Sequence, residues 1–141
     1  MFRVTQSYLV QNLVTSLKAN GWDVLYQDYP DGQRNGIGKQ GTVFHCFKSL
    51  FDEFPDVLCV RYGTLMIIEV DNKFKLSYIE KLSRFKSRME DLVSCLFGNI
   101  NERPNEVKLV IAISAKNKQI GIASDIQIWY YDKIKDKFHV Y

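Results

Sequence analysis

Asp56, Glu69 and Asp71 are the residues whose types and spacing suggest chemistry. They fall in FPDVLCVRYGTLMIIEVD, residues 54–71. Asp56–Tyr62 and Leu65–Asp71 are rich in β-formers and predict two strands. Gly63-Thr64 between them predicts a two-residue type II′ turn, which wants glycine first. On that register Asp56 faces Asp71, and Glu69 lies one diagonal step away. Side chains alternate along a strand, so the three carboxylates share one face at the open end of the hairpin. Like charges facing each other across strands repel, and removing them from water costs more. A cation among them resolves both problems, and hard oxygen ligands suit Mg²⁺. The plainer reading makes Asp56 and Asp71 solvated strand-end residues. It does not account for Glu69, which sits between Leu65-Met66-Ile67-Ile68 and Val70.

Pro55-Asp56, twelve residues, then Glu69-Val70-Asp71 resembles the signature of the PD-(D/E)XK nuclease superfamily. The resemblance spans residues 5–115. It implies an α/β, restriction-endonuclease-like αβββαβ core, here with a mixed central sheet, flanking helices and a C-terminal β-hairpin. It implies Mg²⁺ (with Mn²⁺ as a substitute) held by Asp56, Glu69 and the carbonyl of Val70. The implied reaction is phosphodiester hydrolysis by an endonuclease, on DNA rather than RNA, by a homodimer that cuts two strands. Two departures stand out. The lysine position of the motif is Asp71, so the catalytic set is Asp56, Glu69, Asp71 and a lysine from elsewhere. Lys81 on the following helix is favoured over Lys73. The first helix also lacks the usual glutamate, with Gln11 nearest in type and Gln6 as alternative.

These residues need elements to hold them. Tyr8, Leu9, Leu13, Val14 and Leu17 recur at helical spacing, so Thr5–Asn20 predicts a helix that Asn20-Gly21 stops. Trp22–Tyr29 predicts a strand. Pro30–Gly41 carries four glycines and predicts a loop. Thr42 then caps a short helix with Val43, Phe44, Phe47, Leu50, Phe51 and Phe54 on its apolar side. Leu76–Phe97 predicts one long amphipathic helix ended by Gly98-Asn99. Val107–Ser114 predicts a strand buried on both faces, and Ile126–Tyr131 with Lys137–Tyr141 a closing hairpin. The order predicts one mixed α/β domain over residues 1–141.

Composition agrees with that class. Of 141 residues, 46% are hydrophobic and 25% charged, which excludes disordered and collagenous chains. The longest strongly apolar run, Leu109–Ile113, is too short to cross a bilayer, and the first residues carry no secretory pattern. The expectation is a cytoplasmic protein with no membrane partner. Three widely spaced cysteines predict no disulfide framework, with Cys59 and Cys95 in the core. His45 and Cys46 are adjacent, and adjacent side chains diverge in helix and strand alike, which argues against a catalytic pair.

The net charge of +3 is unevenly placed. Lys73–Arg88 holds six basic residues and one acidic, or +5, so everything else sums to 3 − 5 = −2. Lys81, Arg84 and Arg88 form a helical stripe. It reads either as a solvated face or as a track for phosphates. Lys73, Arg84 and Arg88, with Arg34 and Lys39 from the glycine-rich loop, are the candidate nucleic-acid contacts. Gly36–Gly41 matches GxGxxG, but no strand leads directly into it, so a polar loop is preferred to a nucleotide site. The alternative to an endonuclease is a catalytically inactive nuclease-fold domain that binds nucleic acid or a protein partner.

Overall fold

The computed structural model describes residues 4–28, 39–98, 103–114 and 125–140. Ten elements follow in order: α1 Gln6–Ala19, β1 Asp23–Gln27, α2 Lys39–Leu50, β2 Val57–Arg61, β3 Thr64–Asp71, α3 Leu76–Ser87, α4 Met89–Phe97, β4 Glu106–Ile113, β5 Ile126–Asp132 and β6 Lys137–Val140. The six strands form one sheet in sequence order, β1 to β6. β3, β4 and β5 run parallel; the remaining neighbours are antiparallel. The fold is therefore mixed α/β with helices on both faces of a mixed sheet.

The two faces have separate cores because strand side chains alternate. Leu9, Leu13 and Leu17 of α1 pack against Cys59, Met66, Ile68 and Val110. On the opposite face Phe47, Leu82, Phe85 and Leu92 of α2, α3 and α4 pack against Leu58, Leu65, Ile67 and Ile111. β3 is buried along nearly its whole length, as a strand with parallel and antiparallel neighbours and two covered faces must be. Thr5 caps α1 by accepting from the Tyr8 N–H, the bond a helix start otherwise lacks.

Four expectations change. Arg61 pairs with Thr64, so the turn residues are Tyr62 and Gly63, not Gly63 and Thr64. Their φ angles are 49° and 79°, both positive as a type I′ turn requires. The long helix divides at Arg88, whose φ of −123° and ψ of 34° leave the helical region. α2 begins at Lys39, so Thr42 lies inside it. It ends before Phe51, with Asp52 at a φ of 52° donating its N–H to the Phe47 carbonyl. Finally, Cys46 and Cys95 form a disulfide. Cys95 stands on an exposed position of α4, where it meets buried Cys46 of α2, and only Cys59 is a free core thiol. The pairing runs against the expected reducing setting, where such bonds are rare. No described helix is long and apolar enough to cross a membrane.

Candidate functional site

The turn change slides the β2–β3 register by two residues. A shift of two preserves the face of every side chain, whereas a shift of one would reverse it. Val57 pairs with Ile68, which sets Asp56 opposite Glu69 rather than Asp71. Asp56 extends the ladder on both sides: its N–H donates to the Ile68 carbonyl, and its own carbonyl accepts from the Asp28 N–H at 2.8 Å. Its side chain folds onto β3, where Oδ2 accepts the Val70 N–H at 2.8 Å. One oxygen of Asp56 is thus fixed by backbone.

Glu69 is the only charged side chain among the buried described residues, at 2% exposure. Its Oε1 accepts from Lys81 Nζ at 2.8 Å. Its Oε2 is buried without any hydrogen-bond partner. Burial, followed by the charge of Asp56, pushes the Glu69 carboxyl well above the ordinary carboxylate range, against the pull of Lys81. Asp56 is raised too, first by burial, with Asp28 and Asp71 adding repulsion; the Val70 N–H and Lys81 oppose this. One ammonium faces one buried and one partly buried carboxyl. The set has an unmet demand for positive charge, and an orphaned buried oxygen marks where it is felt.

Asp71 does not join them. Its Oδ1 accepts the Asn72 N–H, its Oδ2 accepts the Tyr78 hydroxyl, and Lys75 Nζ lies at 3.6 Å. The expected convergence of three carboxylates is therefore corrected: the start of α3 supplies Asp71 with its own partners. Burial and the Asp71 carboxylate push the Tyr78 phenol up, and the charges of Asp56 and Glu69 add to this. Among the described residues, no three His, Cys, Asp or Glu side chains form a metal-ligand group.

Two carboxylates nevertheless suffice for Mg²⁺, which takes one or two from protein and completes its octahedron with waters and phosphate. The orphaned Glu69 Oε2, with Asp56 across the strand pair, fits that donor chemistry. The Val70 carbonyl already accepts from Gln6 Nε2 at 2.8 Å, leaving one of its two lone pairs. Of the two helix-one glutamines, Gln6 in the first turn of α1 reaches β3; Gln11 is exposed, more than a turn further along α1.

The remaining candidates are scattered. Lys73 lies exposed beyond the end of β3. Arg84 is bound through Nε to Glu53 at 2.7 Å, and Arg88 to Asp91 and the Leu50 carbonyl. Arg34 and the side chain of Lys39 lie outside the described residues, as do Gly36 and Gly38 of the glycine-rich match. Sequence reasoning missed Asp28. Residue types do not fix the β1–β2 register, which is bulged between Val24 and Tyr26; in the structure Tyr26 pairs with Leu58 and Gln27 with Val57, so Asp28 meets Asp56. Its charge is felt at Asp56.

No protein-family model, curated protein or solved structure matches this chain.

Proposed function

We propose that this protein is a divalent-metal-dependent phosphodiesterase acting on DNA, with a restriction-endonuclease-like core. One observation carries the reading. Glu69, buried in an apolar strand, keeps one carboxyl oxygen without a partner beside Asp56 while Lys81 holds the other. Those are the residues on which the PD…EVD resemblance rests. Asp56 and Glu69 would hold Mg²⁺ or Mn²⁺, with the Val70 carbonyl as a third oxygen. A bound cation there would polarise a phosphoryl oxygen and make a water acidic enough to attack. The protein's own residues supply the rest. The Val70 N–H fixes the Asp56 carboxylate, so it needs no reorganisation during reaction. Lys81, one-fifth exposed, brings an ammonium to the mouth of the site, where it can donate to a phosphate oxygen or orient water. It occupies the role that Asp71 leaves vacant in the motif. Two such sites in a homodimer would serve two strands.

The test uses plasmid, linear and branched DNA with Mg²⁺ or Mn²⁺. Wild type should nick or cut at least one substrate. Asp56→Ala and Glu69→Ala should each lower the rate by at least about a hundredfold, the scale of losing one preorganised charge group. Cleavage that survives both substitutions, or none on any substrate, would sink the proposal.

A second reading has an observation of its own. Lys81 already satisfies half of Glu69, and Tyr78 and Lys75 engage Asp71, as expected of an inactive nuclease-fold domain that binds nucleic acid or protein. Mn²⁺ separates the two: an active site should gain thermal stability from it, and a retired one should not.

A further inference from the structure

We propose that the lysine-rich β5–β6 turn, with Lys73 at the same end of the sheet, carries the nucleic-acid backbone past the strand ends that hold the carboxylates. The inference rests on the nucleic-acid reading of that site and assigns the surface that would seat the substrate.

The basic stripe of α3 is a poor seat. Lys75, Lys81, Arg84, Lys86 and Arg88 each pair with a carboxylate of this chain, namely Asp71, Glu69, Glu53, Asp125 and Asp91. A phosphate arriving there must compete with an existing partner. Among the described residues, the cations in no ion pair fall into two groups. Lys18, Arg61 and Lys108 lie toward the β2–β3 turn: the Arg61 guanidinium bonds the Asn20 carbonyl at the end of α1, and Lys108 is level with Met66 near the start of β3. Lys73, Lys133, Lys135 and Lys137 lie at the opposite end. β3, β4 and β5 are parallel, with Asp71 level with Ile113 and Ile113 level with Tyr130. The turn after Asp132 therefore leaves the sheet at the same end as Glu69 and Asp71.

The turn is held firmly. Asp132 Oδ1 accepts the N–H groups of Ile134 and Lys135. Asp136 Oδ1 accepts the hydroxyls of Tyr8, at 2.6 Å, and of Tyr131. Asp132 and Asp136 keep their charges but hold them against the turn's own backbone, Tyr8, Tyr131 and His139, while Lys133, Lys135 and Lys137 are exposed and outnumber them. α1 connects turn and site directly: Gln6 bonds the Val70 carbonyl and Tyr8, two residues on, bonds Asp136. Among the described residues, two of the three large apolar side chains that stand exposed follow the C-terminal ends of these parallel strands: Leu76, at 70%, five residues after the end of β3, and Ile134, at 96%, in the turn after β5. Lysines around an exposed apolar tip suit a surface that tracks phosphates and presses an aliphatic group against bases. From β3 to β5 is two strand spacings, about 10 Å, or about three base-pair steps along a duplex axis.

The test measures binding apart from cleavage. A fluorescent DNA duplex is titrated in EDTA at several salt concentrations with wild type, the Lys133→Gln/Lys135→Gln/Lys137→Gln variant, and Arg84→Gln/Arg88→Gln. The triple variant should bind at least about tenfold more weakly at low salt. The slope of log affinity against log salt should fall by about two to three, near one for each phosphate no longer neutralised. The α3 variant should stay close to wild type. An unchanged slope in the triple variant overturns the proposal. So does wild-type protein that binds anionic vesicles and not DNA. Lysine-dependent binding without cleavage in Mg²⁺ would support this surface and sink the catalytic reading. Cleavage with an unaltered salt slope in the triple variant would do the reverse.

Discussion

Glu69 shows how one residue can be legible in sequence while its partners are not. A glutamate inside an apolar run demands an explanation from pattern alone. Its neighbours depend on register and helix placement, which residue types constrain less tightly. Lys81, twelve residues on in another element, is reachable from sequence only as a guess; in the structure it lies 2.8 Å away. Asp71 has the same residue type and strand-end position as Asp56, yet Tyr78 and Lys75 draw its carboxylate aside. The paired carboxyls have a measurable consequence. Asp56 is pushed up to about 6 and Glu69 to about 8, so the unfolded chain gives up these protons first as pH rises. Stability from the two carboxyls is therefore complete below about pH 4 and is lost as pH climbs to about 8. Without metal, the melting temperature of wild type relative to Glu69→Gln should fall steadily across that window. Mn²⁺ should restore more of it at pH 8 than at pH 5. Thermal melts in EDTA and in Mn²⁺ check both signs; a wild-type-to-variant difference that ignores pH would show Glu69 to be an ordinary carboxylate.

At the scale of elements, periodicity is a good guide and boundaries are not. The alternation in residues 56–71 predicts the correct inward face even with the turn misplaced by one residue, because the register error is an even number. Tyr62 at positive φ is not foreseeable from residue type, since a bulky side chain rarely takes that conformation. It is 94% exposed, so no packing opposes it. The break between α3 and α4 is silent in sequence too: the apolar positions continue through Arg88, and neither Pro nor Gly marks the bend. The Cys46–Cys95 bond cannot be read from spacing. It ties α2 to α4 across a separation of 49 residues, and a loop of that size corresponds to about 4 kcal/mol of unfolded-state entropy, an upper bound for the gain. Reduction should therefore lower the melting temperature substantially, and Cys95→Ser should reproduce the loss and abolish sensitivity to reductant. The surface of α1, packed on the other face, should stay as protected from proteolysis as before. A melting temperature indifferent to reductant in wild type would mean that the bond does not contribute to the folded protein in solution.

For the molecule as a whole, the sheet order explains why the carboxylates are held against one another. β3 lies between β2 and β4 with α1 on one face and α2, α3 and α4 on the other, so the backbone beneath Glu69 is the hardest part of the protein to move. Parallel pairing of β3 with β4 and of β4 with β5 joins residues distant in sequence, and no local pattern announces it; only the doubly buried run at 107–114 points to a central strand. The edges differ. β1 is bulged between Val24 and Tyr26, and β6 has four residues, so each is bound on one side only and opens at lower cost. Amide exchange should rank accordingly: slowest at Leu65–Val70 and Leu109–Ile113, faster in β1, fastest in β6. A divalent cation between Asp56 and Glu69 would join the end of β2 to β3, so Mn²⁺ should slow exchange at Val70 and at Asp28, whose N–H is bonded to the Asp56 carbonyl. β6, anchored instead through Asp136 to Tyr8, should be unaffected. Protection gained uniformly over all six strands would mean that the metal stabilises the fold from somewhere other than this edge. Protection confined to β1, β2 and β3 would place it among the carboxylates.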